Sequence, residues 1–257
     1  MIEVEGLTKL YGDFAAVQNL SFVVQPGQLL GLVGPNGAGK TSTLRCLAGI
    51  IPATRGSIRI ASRDLAADPV GAKAQLAFFS DEPRLFDYLT VRQHLQFIGR
   101  LYGVKEIGPR MDSLLEELEL TAKANELPGA LSRGMKQKVA IACGLLHEPR
   151  VVFFDEPLTG LDPLAIRRMK DTIRRLAAGG AAIVISSHLM HLLEEICSHI
   201  LVLKRGVKVV HGTVEEIRQQ FGGGDASVDL EELFIRIANQ AEPPANPGPA
   251  ETGGGPA

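Results

Sequence analysis

Leu29-Leu30-Gly31-Leu32-Val33-Gly34-Pro35-Asn36-Gly37-Ala38-Gly39-Lys40-Thr41 decides how this chain folds. The apolar run Leu29–Val33 stops at a glycine, as a buried strand does when it feeds a loop. From Lys40 to Ala48 the apolar residues return with helical periodicity. Between them, Gly34–Thr41 matches G-x-x-x-x-G-K-[ST] in the strand–loop–helix context that the pattern requires. Glycines let the backbone wrap closely, so successive N–H groups aim at one phosphate while the helix N-terminus adds its dipole. Lys40 is then expected at the β- and γ-phosphates, and the Thr41 hydroxyl at Mg²⁺.

A second stretch completes such a site. Val151-Val152-Phe153-Phe154-Asp155-Glu156 is four apolar residues ending in two acids. Asp155 fits a Mg²⁺-binding acid at a strand tip. Glu156, expected on the other side of the pleat, fits a base that polarises a water in line with the γ-phosphate. Other strands are expected at Ile2–Leu10, Leu20–Val24, Ser57–Ala61, Leu76–Phe79, Ala182–Ser186, His199–Lys204 and Val207–Val210. From Val91 to Leu146 the periodicity is helical almost throughout (Val91–Tyr102, Met111–Leu118, Ser132–His147), which reads as a helical insert in an α/β core.

Composition narrows the class. The chain has 257 residues, 45% hydrophobic and 22% charged, as one α/β domain would. A net charge of −2 gives no electrostatic reason to expect nucleic acid. The longest run of apolar residues plus glycine, Leu176–Ile185, has ten members, against about 20 for a membrane-spanning helix. Met1-Ile2-Glu3-Val4-Glu5 lacks the basic start and apolar core of a secretory signal. Cys46, Cys143 and Cys197 have no paired metal spacing and are expected as buried, reduced thiols. Beyond Gly222-Gly223-Gly224 a short amphipathic helix is expected at Leu230–Ala238. Nine of the 18 residues from Gln240 to Ala257 are Pro or Gly, a composition that predicts a disordered tail.

Leu131-Ser132-Arg133-Gly134-Met135-Lys136-Gln137 lies between the glycine loop and the acidic strand. It resembles Leu-Ser-Gly-Gly-Gln, the signature of ATP-binding cassette (ABC) ATPases, and in this order the motifs resemble an ABC transporter nucleotide-binding subunit over residues 1–221. The resemblance implies an α/β fold: a P-loop NTPase (RecA-like) core, an N-terminal antiparallel β subdomain, and a helical signature subdomain at about 85–147. It leaves 222–239 as linker and C-terminal helix, and 240–257 as tail. ATP and Mg²⁺ are the implied cofactors. Nucleotide contacts fall to Gly34, Pro35, Asn36, Gly37, Ala38, Gly39, Lys40, Thr41 and Ser42, with Tyr11 stacked on adenine. Ser132 and Gly134 would contact the γ-phosphate of an ATP held by the opposite subunit, and Asp162 in Leu158–Asp162 would belong to the loop joining the two sites. His188, after Ser186-Ser187, would contact the γ-phosphate, so that Glu156, His188 and Lys40 form the catalytic set. Implied partners are a second copy or a paralogous ATPase, and a separate transmembrane permease that would hold the chain at the cytoplasmic face of the plasma membrane.

Three positions depart from the pattern. Arg133 replaces the first signature glycine and Met135 its glutamine; this wording is similar to drug- and polysaccharide-type exporters. Asp81, in Phe78-Phe79-Ser80-Asp81-Glu82-Pro83, takes the place of the glutamine that would join the metal, with Glu82 as an alternative registration. An amide oxygen ligates a cation while its NH₂ donates to water; an ionised carboxylate only accepts. Leu85–Val91 follows, and in relatives this neighbourhood faces the membrane partner; its apolar and aromatic residues suit a groove for a short helix. Two other readings stay open: a weakly catalytic half of an asymmetric pair, and a non-transport ABC ATPase.

Overall fold

The computed structural model describes residues 1–157, 163–222 and 229–240. The chain opens with β1 (Ile2–Tyr11) and β2 (Phe14–Val24), which pair antiparallel, and then β3 (Leu29–Val33) runs into α1 (Lys40–Leu47). β4 (Arg55–Ile60), β5 (Arg63–Asp64), α2 (Pro69–Lys73) and β6 (Leu76–Phe79) follow. Residues 80–150 contain no strand: they hold α3 (Val91–Leu101), α4 (Ile107–Glu117), two short 3₁₀ turns and α5 (Arg133–Leu145), helices that pack on one another. The chain returns through β7 (Val151–Asp155), α6 (Pro163–Ala178), β8 (Ala182–Ser186) and α7 (Met190–Ile196). It continues with β9 (His199–Lys204), β10 (Val207–Thr213), α8 (Val214–Phe221) and α9 (Leu230–Gln240).

Two sheets result. One is antiparallel, in the order β2-β1-β4-β5; the other runs β10-β9-β3-β8-β7-β6, parallel except for β10. The central strands are buried at every position because both faces are covered, and they are apolar up to Asp155 and Ser186 at the tips of β7 and β8. Side chains alternate between two cores, as a period of two demands: Val152, Phe154, Ile183 and Ile185 meet the helices, while Val151, Phe153, Ala182 and Val184 meet α1 and the antiparallel sheet. Phe79 and Phe154 stack at 4.9 Å between centroids, seating β6 on β7.

Several boundaries differ from expectation. β2 begins at Phe14, not Leu20, because register shifts and a left-handed Asn19 (φ 45°) break its alternation. α6 and α8 carry no strong sequence signal. Only Met169, Thr172 and Ile173 of α6 are buried on a helix rich in Arg and Lys, and α8 is short, started by a Thr213/Glu216 capping box. α9 extends to Gln240. Its Leu230, Leu233 and Ile237 are buried, and Arg236 donates to the carbonyls of Phe221 and Gly222 at the end of α8. The Leu158–Asp162 loop, most of the glycine linker and the tail from residue 241 lie outside the described residues. Among the described residues no helix is long and apolar enough to cross a membrane.

Candidate nucleotide site

The loop from Gly34 to Gly39 bridges β3 and α1 at the carboxyl ends of the parallel strands. Its glycines are dictated by close approach. A Cβ on Gly34 would lie 2.4 Å from the Leu203 carbonyl oxygen, and one on Gly39 2.3 Å from that of Ala16, where φ is +100°. Gly39 caps α1 without a side-chain acceptor, and no acid lies in the first turn, so the helix N-terminus keeps its positive end. Pro35, Asn36 and Gly37 are exposed, Ala38 is buried, and Ser42 is partly buried in the first turn of α1. Lys40, 8% exposed, donates from Nζ to the carbonyls of Gly34 at 2.7 Å and Pro35 at 3.3 Å. Burial lowers its pKa, opposed by the charges of Glu156 and Asp155.

Asp155, 5% exposed at the tip of β7, accepts on Oδ1 from Thr41 Oγ1 at 3.2 Å and from Ser186 Oγ at 2.7 Å. Burial raises its pKa, while the Ser186 and Thr41 hydrogen bonds pull it down and the Asp81 charge pushes it up. A hydroxyl and a carboxylate oxygen on adjoining elements are the hard donors that a small divalent cation takes. Among the described residues, no cluster of three or more His, Cys, Asp or Glu could hold a metal by itself. A cation here would therefore be completed by phosphate oxygens and water.

Glu156 does not continue the pleat. It lies one residue past β7 with φ +51°, so its side chain is aimed by a left-handed backbone and not by strand alternation. There its Oε2 meets His188 Nδ1 at 2.8 Å. Ser186 is the residue that sequence reasoning passed over; the signal available was two serines closing an apolar strand just before His188.

Asp81 sits in the loop after β6, where its Oδ1 accepts from the Glu82 N–H at 2.9 Å. Arg133 Nη2 reaches the Asp81 carbonyl at 3.4 Å, so two of the three departing positions touch each other. Neither Asp81 nor Glu82 has a side-chain bond to Thr41 or Asp155; Asp81 reaches Asp155 only through its charge. Ser132 caps α5 by accepting from the Met135 N–H at 3.2 Å, and Gly134 follows inside the first turn. A Cβ on Gly134 would meet nothing within 4 Å, so this chain's own packing does not require glycine there. Tyr11 ends β1, 49% exposed, with Lys9 Nζ 5.0 Å from its ring centroid. Asp162 lies outside the described residues.

A groove of about 460 Å³ opens between β6 and the helical segment, lined in part by Phe79, Leu85, Phe86, Tyr102, Cys143 and His147. Leu85 packs on the core, whereas Phe86 is 55% and Tyr88 91% exposed. His94, 3% exposed, holds this turn: its Nε2 accepts from the Phe86 N–H at 2.8 Å while Nδ1 donates to the Thr90 carbonyl at 2.8 Å.

The family described as ABC transporter matches residues 17–159. The chain is 34% identical to the ABC-type transporter ATP-binding protein EcsA of Bacillus subtilis, over 93% of its own length and 97% of that protein's. It is 36% identical to the Nod factor export ATP-binding protein I of Ralstonia nicotianae, over 84% and 68% of the two lengths. A solved structure of the ATP-binding subunit of an ABC transporter superposes with a TM-score of 0.87 at 34% identity, covering 93% of this chain and 99% of that one. The chain therefore belongs to the ABC transporter family, as one of its ATP-binding subunits.

Proposed function

We propose that this chain hydrolyses ATP with Glu156 as the group that polarises the attacking water and drives a separate membrane subunit of an exporter. One observation carries the reading: Glu156, turned by its left-handed backbone, holds His188 at 2.8 Å beside the partly buried Asp155–Thr41 pair. A polar pair directly after a metal-type acid is what in-line attack on a γ-phosphate requires. Thr41 and Asp155 would hold Mg²⁺, which when bound neutralises charge on the phosphates. Lys40 would exchange its two loop carbonyls for phosphate oxygens, its burial strengthening that contact. Tyr11 offers an exposed ring to the adenine, and Gly34–Ser42 the backbone and side-chain donors to the phosphates.

Two copies would close head to tail, each placing Ser132 and Gly134 over the nucleotide of the other. The empty space around Gly134 is compatible with this, since it leaves the backbone there open to a group from outside the chain. The α5 N-terminus, with no acid in its first turn, suits a phosphate. The groove beside Phe86 would take a short helix of the membrane subunit, and relatives named for export favour that direction of transport. Such an assembly works at the cytoplasmic face of a membrane.

Glu156→Gln tests the reading. It should leave ATP binding intact, cut hydrolysis at least 100-fold, the scale of a lost general base, and trap an ATP-bound dimer on size exclusion. Turnover like that of the unmodified chain would overturn it.

A further inference from the structure

Asp155 and Ser186 are register partners on the parallel strands β7 and β8, so the Ser186 side chain stands beside both acids at the tip of β7. Ser186 has no exposed surface. Its hydroxyl donates to Asp155 Oδ1 at 2.7 Å and accepts from the Glu156 N–H at 3.2 Å, while its carbonyl accepts that same N–H at 3.1 Å. A serine hydroxyl has one proton, and here it is spent on the metal-type carboxylate. Its lone pair and its carbonyl fall on the one amide that must be held if Glu156 is to stay in the left-handed region. A residue with a Cβ visits that region only under constraint from its surroundings.

We propose that Ser186 is the positioning residue shared by both acids. By one side of its hydroxyl it turns the Asp155 carboxylate toward Thr41, and by the other it clamps the Glu156 backbone so that the carboxylate reaches His188. This inference rests on the reading that Asp155 takes the metal and Glu156 the water. A single side chain then sets metal order and base geometry together, and neither can relax without loosening the other. Ser187 does not share the role, since its hydroxyl turns away to accept from the Leu189 N–H at 3.1 Å.

The experiment uses the full chain with Ser186→Cys, nearly equal in size but a weak hydrogen-bonding group, Ser186→Ala, and Ser186→Thr, which keeps the hydroxyl. Mn²⁺ titrated into chain plus ATP and followed by electron paramagnetic resonance reports metal affinity without turnover. Steady-state Mg-ATP kinetics report kcat and KM, and thermal melting confirms the fold. In the Cys and Ala variants Mn²⁺ affinity and kcat should each fall about 10- to 100-fold, the usual scale for a group that orients a metal ligand, with the KM for Mg-ATP rising in step with the lost metal affinity. Ser186→Thr should recover most of both. Unchanged Mn²⁺ affinity and kcat in a folded Cys or Ala variant overturns the proposal. Asp155→Asn separates the two failures: if it leaves Mn²⁺ affinity unchanged, the metal reading itself is wrong. If it weakens Mn²⁺ binding while the Ser186 variants do not, only the role of Ser186 fails.

Discussion

His188 and Glu156 share a hydrogen bond of 2.8 Å between Nδ1 and Oε2, and the backbone N–H of His188 points at the same oxygen at 3.4 Å. The carboxylate can only accept when ionised, so Nδ1 carries a proton and the ring is held in one tautomer. His188 is 56% exposed at its side chain against 22% for Glu156, so the ring stands outermost, where a γ-phosphate would lie. His188→Ala should therefore lower kcat about 100-fold while ATP affinity, measured with a fluorescent analogue, changes by less than about threefold. An equal loss in affinity would make the residue a binding group instead.

Arg133 and Asp81 support a second prediction. The guanidinium donates to the Asp81 carbonyl, so the first turn of α5 is tied to the loop that follows β6. In the proposed head-to-tail pair this would join, inside one chain, the segment assigned to the partner's nucleotide to the loop assigned to its own. Arg133→Gly should speed amide exchange at Glu82 about three- to tenfold, the scale of one partly exposed hydrogen bond to a charged donor. Asp81→Gln leaves the carbonyl in place but removes the Oδ1 that accepts from the Glu82 N–H, so it should speed the same exchange by a different route. It should also act on Asp155, whose carboxyl loses a repelling charge and should ionise more readily, tightening Mn²⁺ binding in the presence of ATP.

The parts of this fold that were legible are those whose signal is local. β3, β7 and β8 fall where their apolar runs lie, since a strand buried on both faces is apolar except where a terminal residue such as Asp155 or Ser186 is hydrogen-bonded. The glycine loop was legible because Gly34 and Gly39 answer to backbone contacts that admit no side chain. α6 was not, because its buried stripe is only Met169, Thr172 and Ile173 among arginines and lysines. Non-local facts were out of reach as well. Nothing in the order Asp155-Glu156 announces a left-handed turn, and nothing in Ser186 announces that its register partner is Asp155.

The third prediction concerns α9. Leu233 has no exposed surface and packs with Leu230 and Ile237 against α7 and α8, beside Val33 and Met190. Val33 precedes the glycine loop, and Met190 begins the helix that follows His188. Leu233→Ala should cost about 2–5 kcal/mol in urea unfolding, as for other fully buried leucines. Ile235→Ala, at a position 47% exposed on the same helix, should cost less than about 0.5 kcal/mol. Similar costs at the two positions would mean that α9 is not docked in solution.

The three cysteines give a prediction about the groove. Cys46 and Cys197 are buried, and burial pushes the Cys46 thiol up to about 11 and Cys197 higher still. Both raised values favour the protonated thiol in the folded state. They leave stability untouched below pH 9, where the unfolded thiols are also protonated, and remove it as pH rises from 9 toward 11. Cys143 is only partly buried and lines the groove, with its thiol pushed up to about 12. A thiolate is the reactive form, so all three should alkylate slowly at pH 8. Cys143 should nonetheless react first, because reagent reaches it through the groove without unfolding. Mass spectrometry of the native chain after iodoacetamide should find one modified site, at Cys143, and three in denaturant. Modification of Cys46 or Cys197 in the native chain would mean that α1 or the end of α7 opens. If a helix of the membrane subunit does occupy the groove, labelling of Cys143 should drop in the assembled transporter, whereas labelling unchanged by assembly would place the partner elsewhere.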